Sequence, residues 1–128
     1  MILDSSAVVA IVFEEQGYEA LLLRMKAATN VAIGAPTLTE LSIVLARRLK
    51  HNARPQVHAL LIAVEAQVIP FTEDHHVEAL RAFERFGKGR HPAALNFGDC
   101  LSYAIARIAG EPLLFVGDDF LKTDIHAA

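Results

Sequence analysis

Four times along this chain a carboxylate follows an apolar run. Asp4 closes MIL-D, Glu40 follows VAIGAPTLT, Asp99 opens DCLSYAIA after Phe97-Gly98, and Asp118-Asp119 close LLFVG. An apolar run that stops on an acid is how an α/β fold places acids at the carboxyl ends of buried strands, the edge where such sheets bind ligands. In a parallel sheet those ends all point one way, so Asp4, Asp99 and the Asp118/Asp119 pair are expected at a common edge. Glu40 lies one turn into a helix, beside Leu41 and four residues from Val44, which sets its carboxylate at the margin of a buried face.

The remaining pattern supplies the sheet. Short apolar strands are expected at residues 2–3, 31–33, 68–71 and 113–116. Helices are expected at 5–13, 18–28, 36–51, 57–66 and 73–86, with a last one carrying Asp99 in its first turn and stopping at Gly110. Pro36 and Pro55 suit helix starts, and Thr72 suits the cap of the helix from Glu73. Residues 87–97, GKGRHPAALNF, form the one extended loop. Strands alternating with helices over 128 residues imply one α/β domain with a parallel sheet.

Composition narrows the function classes. Hydrophobic residues make up 53% of the chain, a surplus that points to a subunit or partner interface. No apolar run approaches the roughly 18–20 residues that span a bilayer, and Asp4 falls where a signal peptide carries basic residues. A membrane role is therefore not expected. A single cysteine, Cys100, excludes a disulfide framework or a thiolate cluster and fits a reducing cytoplasm; its apolar helix reads as core. The net charge of −3 coexists with two basic clusters, Arg47, Arg48, Lys50, His51 and Arg54, and Arg81, Arg85, Lys88, Arg90 and His91. Basic rims on an acidic protein remain compatible with phosphate binding.

Each acid has a structural reading of its own. Asp4 can cap the helix that follows it. Thr37 to Glu40 spells the S/T-x-x-E capping box, Asn96 to Asp99 a weaker version, and Asp118-Asp119 can be turn residues. Caps do not require a different strand end to supply each acid, so the set favours a shared site. Carboxylates gathered in a cleft repel one another unless a cation or proton compensates. Oxygen ligands without cysteine or a histidine pair select Mg²⁺ or Mn²⁺ over zinc. His75 and His76 are adjacent and read as surface residues at a helix start.

The stretches MILDSSAVVAIVF, PTLTELSIVL, ALNFGDCLSYAIA and LLFVGDDFLKTDI resemble, in order and spacing, a PIN-domain ribonuclease, specifically a VapC-type toxin of a VapBC toxin–antitoxin module. The resemblance covers both termini; the intervening helices carry little of it. It implies a PIN-like three-layer α/β/α fold with a short central parallel sheet, and a metal-holding acidic pocket of Asp4, Glu40, Asp99 and a fourth acid. The family's closing motif maps that acid to Asp119, with Asp118 as the alternate. Ser5 stands where the family often has threonine, a hydroxyl expected to hold a metal-bound water or the Asp4 carboxylate. The implied activity is Mg²⁺- or Mn²⁺-dependent endonucleolytic cleavage of RNA, with Arg90, His91, Arg47 and Arg48 as candidates for phosphate positioning. The implied partners are a second copy of the chain and a VapB-type antitoxin. The alternatives are a Mg²⁺-binding receiver-like module, which needs an acid at the end of its middle strand where this chain has Val68-Ile69-Pro70, and a non-catalytic PIN fold, against which all four acidic positions are filled.

Overall fold

The computed structural model describes residues 1–128. The chain alternates strand and helix through β1 (Ile2–Leu3), α1 (Ser5–Val12), α2 (Tyr18–Ala27), β2 (Ala32–Gly34), α3 (Ala35–Leu49), α4 (Arg54–Ala63), β3 (Gln67–Ile69), α5 (Glu73–Phe86), α6 (Phe97–Ala109) and β4 (Leu113–Leu114). The four strands pair in parallel in the order β3-β2-β1-β4, with Ile2 opposite both Ala32 and Leu113. β1 is thus central, and its end lies between the ends of β2 and β4.

Period-two alternation divides the core into two layers. Ile2 and Leu113 face the cluster built from α5 and α6, which holds Ala82, Phe86, Tyr103 and Ile105. Leu3 and Leu114, one residue on, face the opposite cluster, which holds Val8, Met25, Leu41 and Leu45 from α1, α2 and α3. Adjacent residues of a strand point to opposite faces, so a two-residue strand suffices to anchor both layers. This is the three-layer α/β/α arrangement expected from the sequence.

Local chemistry sets the boundaries. Gly110 ends α6 in the left-handed conformation, where the missing Cβ removes the steric cost. α3 starts at Ala35 with Pro36 in its first turn. Thr37 therefore lies inside the helix and not at its cap, and its buried hydroxyl pairs with that of Ser102 on α6 at 3.2 Å. The alternative reading of Thr37 to Glu40 as a capping box does not hold. His75 also departs from expectation. It is 7% exposed, and its Nδ1 lies 2.8 Å from the Thr72 hydroxyl and accepts the Thr72 amide at 3.1 Å. This histidine closes a capping box in the place usually taken by glutamate. His76 is exposed, and Cys100 is buried as expected.

Beyond β4 the chain returns along the sheet edge, with Leu113 bridging to Ala127. It is clamped to the α5/α6 layer by Asp124, which accepts from the Tyr103 hydroxyl at 2.7 Å and from Arg85 at 2.9 Å. Tyr103 is fully buried, and burial together with the Asp124 carboxylate pushes its phenol up to about 12. A hydrogen bond to a charged group contributes about 1.5–3 kcal/mol. Tyr103→Phe is predicted to lose that much stability in urea unfolding; a variant as stable as the parent would show that the clamp adds nothing.

Candidate active site

β1 runs directly into α1, which puts Asp4 at a helix N-terminus, where backbone amides and the helix dipole favour negative charge. Asp99 has the same advantage in the first turn of α6, but it is reached from α5 through a loop and not from a strand end as the sequence suggested. Asp4 is the N-cap of α1. It is 4% exposed, and its Oδ2 accepts from the Ser6 amide at 3.0 Å and the Ser6 hydroxyl at 2.5 Å. Asp99 is the third residue of α6 in a reciprocal cap with Asn96: its Oδ2 accepts the Asn96 amide at 2.8 Å, and Asn96 Oδ1 accepts the Asp99 amide at 3.0 Å. Glu40 makes no such cap. Its Oε2 accepts the Ser5 hydroxyl at 3.0 Å across the gap between α1 and α3. In all three acids one oxygen is anchored by these contacts, while the other takes no hydrogen bond from the protein.

The expected role of Ser5 therefore changes. Its hydroxyl holds Glu40, and its neighbour Ser6 holds Asp4. Ser6 also accepts the Val116 amide at 3.0 Å, tying the first acid to the turn that carries Asp118 and Asp119. A second residue absent from the sequence reading is Gly98. A Cβ built there would lie 2.6 Å from Glu40 Oε1 and 3.1 Å from Oε2, so the Glu40 carboxylate packs against the bare backbone of α6. A glycine in the first turn of an otherwise good helix was the available signal, because glycine there costs about 1 kcal/mol relative to alanine.

Electrostatics report the gathering of the acids. The Asp99 carboxyl is pushed up to about 6, mainly by burial, with the Asn96 amide opposing and the charges of Asp4, Asp119 and Glu40 adding to the rise. Of the pair, Asp119 is among the carboxylates that raise Asp99. Both members of the pair are exposed in their turn. No three acidic, histidine or cysteine side chains converge as a ready-made cage. Three of the acids, Asp4, Glu40 and Asp99, are each held by one oxygen. The donor chemistry, hard oxygens with mutual repulsion to relieve, fits Mg²⁺ or Mn²⁺.

The four candidate phosphate contacts separate. Arg48 pairs with Glu15 at 2.9 Å and covers the Phe13 ring. His91 turns inward, its Nδ1 accepting the Ala93 amide at 3.1 Å and its ring edge-on to Phe86. Arg48 is exposed in its surface ion pair, and His91 is half-buried. Arg90 is exposed with its guanidinium 5.2 Å from the Phe83 ring centroid. Arg47 lines a groove of about 530 Å³ that also contains Glu40.

A parallel α/β/α fold with acids on the central strand's end and its neighbours defines a class, and residues 1–125 match the PIN domain family. The chain belongs to that family, among the VapC ribonucleases. It is 45% identical over 127 residues to ribonuclease VapC36 of Mycobacterium tuberculosis, covering 98% of this chain and 91% of that one. Its fold is similar to the crystal structure of M. tuberculosis VapC20, a sarcin–ricin loop cleaving toxin, with a TM-score of 0.78 at 21% identity, covering 99% and 97% of the two chains. It is also similar to a chain of a toxin–antitoxin complex from Klebsiella pneumoniae, with a TM-score of 0.70 at 15% identity over 96% and 92%.

The raised Asp99 carboxyl has a definite sign in stability. The folded protein holds this proton more tightly than the unfolded chain, whose value is near the ordinary 3.8. The contribution is complete below about pH 4 and is lost as pH rises through about 6. Asp99→Asn keeps an oxygen for the Asn96 amide and removes the titration. In chelator, its melting temperature relative to wild type is predicted to rise between pH 4 and pH 7; a constant difference across that range contradicts the assignment.

Proposed function

We propose that this chain is a divalent-metal-dependent endoribonuclease, the toxin of a type II toxin–antitoxin pair. The observation that carries the reading is a set of acids from three separate segments, Asp4, Glu40 and Asp99, each with one carboxylate oxygen held by the protein and the other open. Family membership supports it, as do the names of its relatives, ribonuclease VapC36 and the RNA-cleaving toxin VapC20.

Asp4 and Asp99 are the direct metal ligands in this reading, through the oxygens that their caps leave open. Glu40 and Asp119 complete the sphere or act through water. When bound, Mg²⁺ or Mn²⁺ lowers the pKa of a coordinated water and stabilises charge on the scissile phosphate. The chain's own residues do the positioning. Ser6 fixes Asp4 against the Asp119 turn, Ser5 fixes the rotamer of Glu40, and Gly98 allows Glu40 and Asp99 to share one mouth. Arg47 and Arg90 are the basic side chains placed to meet the RNA backbone, which adds affinity without sequence choice.

The assembly partners are a second copy of the chain and a VapB-type antitoxin, in keeping with the toxin–antitoxin complex among its structural neighbours. Exposed apolar side chains such as Leu23, Ile62 and Val68 are of the kind that protein partners cover. No helix is long and apolar enough to cross a membrane, and the reading places the protein in the cytoplasm with its RNA substrate. A receiver-like module is disfavoured by topology. Its β1 sits between β2 and β3, whereas here β1 sits between β2 and β4, and β3 ends at Ile69-Pro70 without an acid.

Asp4→Asn and Asp99→Asn are each predicted to abolish Mg²⁺- or Mn²⁺-dependent RNA cleavage with the circular dichroism spectrum unchanged. Sequencing of RNA ends after induction should show new termini with the wild type and none with Asp99→Asn. Full activity in either variant would falsify the reading.

A further inference from the structure

Four polar or charged residues are buried: Asp4, Thr37, His75 and Ser102. Asp4 belongs to the acidic site, and His75 closes the cap of α5. Thr37 and Ser102 have only each other. Their hydroxyls meet at 3.2 Å, and the two residues are 2% and 0% exposed. A valine and an alanine would fill much the same space without a polar atom. A neutral hydrogen bond adds little net stability, because it replaces bonds to water, and exchanging both partners for apolar groups of like shape is close to neutral. Stability alone does not account for two hydroxyls at this point in the core.

What a buried hydrogen bond adds is definition, since it is satisfied in one arrangement of the helices and lost in its neighbours. The pair sits where α3 packs on α6. At one end of that seam a Cβ on Gly34 would come 2.8 Å from Ile105 Cγ1, and at the other a Cβ on Gly98 would come 2.6 Å from Glu40 Oε1. The meetings Gly34 with Ile105, Thr37 with Ser102 and Glu40 with Gly98 climb along α3 as they descend along α6. The two helices are therefore antiparallel here, with the hydroxyl pair in the middle of the seam.

Thr37 precedes Glu40 by three residues, and Ser102 follows Asp99 by three. Residues three apart are neighbours on a helix surface, about 4.5 Å apart along the axis. Because the helices are antiparallel, the step from Thr37 to Glu40 and the step from Ser102 to Asp99 lead the same way. Both end at the acidic site. A slip of α3 along α6 would change the relation of these two carboxylates directly.

We propose that Thr37 and Ser102 are positioning residues for the cation site: their hydrogen bond fixes the register of α3 on α6 and with it the relation of Glu40 to Asp99. The inference rests on the metal-dependent reading and adds to it a pair that lies one turn behind the acids.

The test reads Mn²⁺ affinity by titration calorimetry beside melting temperature in chelator. Thr37→Val with Ser102→Ala removes both hydroxyls together and orphans no buried polar group, so melting in chelator is expected to stay near that of the wild type. Mn²⁺ affinity is expected to fall about 10-fold, the lower end of the loss when groups supporting metal ligands are removed. Thr37→Ser keeps the hydroxyl and is expected to keep the wild-type affinity. Should the double variant not fold, Thr37→Val alone gives the same reading, because Ser102 can then turn to the carbonyl one turn back in its own helix. Wild-type affinity in the folded variant overturns the proposal, as does an equal loss in Thr37→Ser. A fall in affinity matched by a fall in melting temperature also overturns it, since the pair would then serve only the core. If the wild type binds Mn²⁺ and the variants match it, this inference alone fails; if the wild type binds none, the metal-dependent reading fails and takes the inference with it.

Discussion

Like charges held together at one sheet edge are the constraint around which this molecule is organised. Burial and three neighbouring carboxylates make ionisation of Asp99 costly enough to push it up to about 6, and the fold answers with local compensation. Helix N-termini lie beside two of the acids, so amides of Ser6 and Asn96 meet Asp4 and Asp99. Hydroxyls of Ser5 and Ser6 meet Glu40 and Asp4. Each device anchors one carboxylate oxygen and leaves its twin without a hydrogen bond from the protein. Repulsion of this kind is relieved by a proton or a divalent cation, which is the basis of the metal-dependent reading proposed above.

The short sheet follows from the same demand. Two-residue strands at β1 and β4 are enough to anchor both core layers and let the chain leave the ladder at once into the site. At β4 the sequence suggested a strand through Val116, yet the ladder stops at Leu114. The Val116 amide is taken by the Ser6 hydroxyl, and Gly117 then turns at a φ of 101°. The strand is cut short, and the turn that carries Asp118 and Asp119 follows at once.

Much of the site was legible because apolar-run-then-acid is a local signal that survives without knowledge of the fold. Strand order and the side-chain partners were not, since they depend on which helices meet. Glu40 spelled a capping box with Thr37, but α3 begins earlier at Ala35, which frees Glu40 for Ser5. His75 looked like a surface residue because histidine seldom takes the third position of a capping box. The sequence pointed to Ser5 and gave Ser6 no role; only the placement of α3 and β4 gives Ser5 to Glu40 and Ser6 to Asp4. Likewise, Arg47 and Arg48 differ by about 100° around their helix, and that rotation alone sends one into the groove and the other onto Phe13 and Glu15.

The central claim is that these acids form a single cation site. It is tested most directly by melting the wild-type protein at pH 7 in chelator, in Mg²⁺ or Mn²⁺, and in sodium chloride of matched ionic strength. The account predicts a rise in melting temperature with the divalent ions that sodium does not reproduce, saturating with concentration as binding to the folded state requires. Identical melting in all three conditions would contradict it.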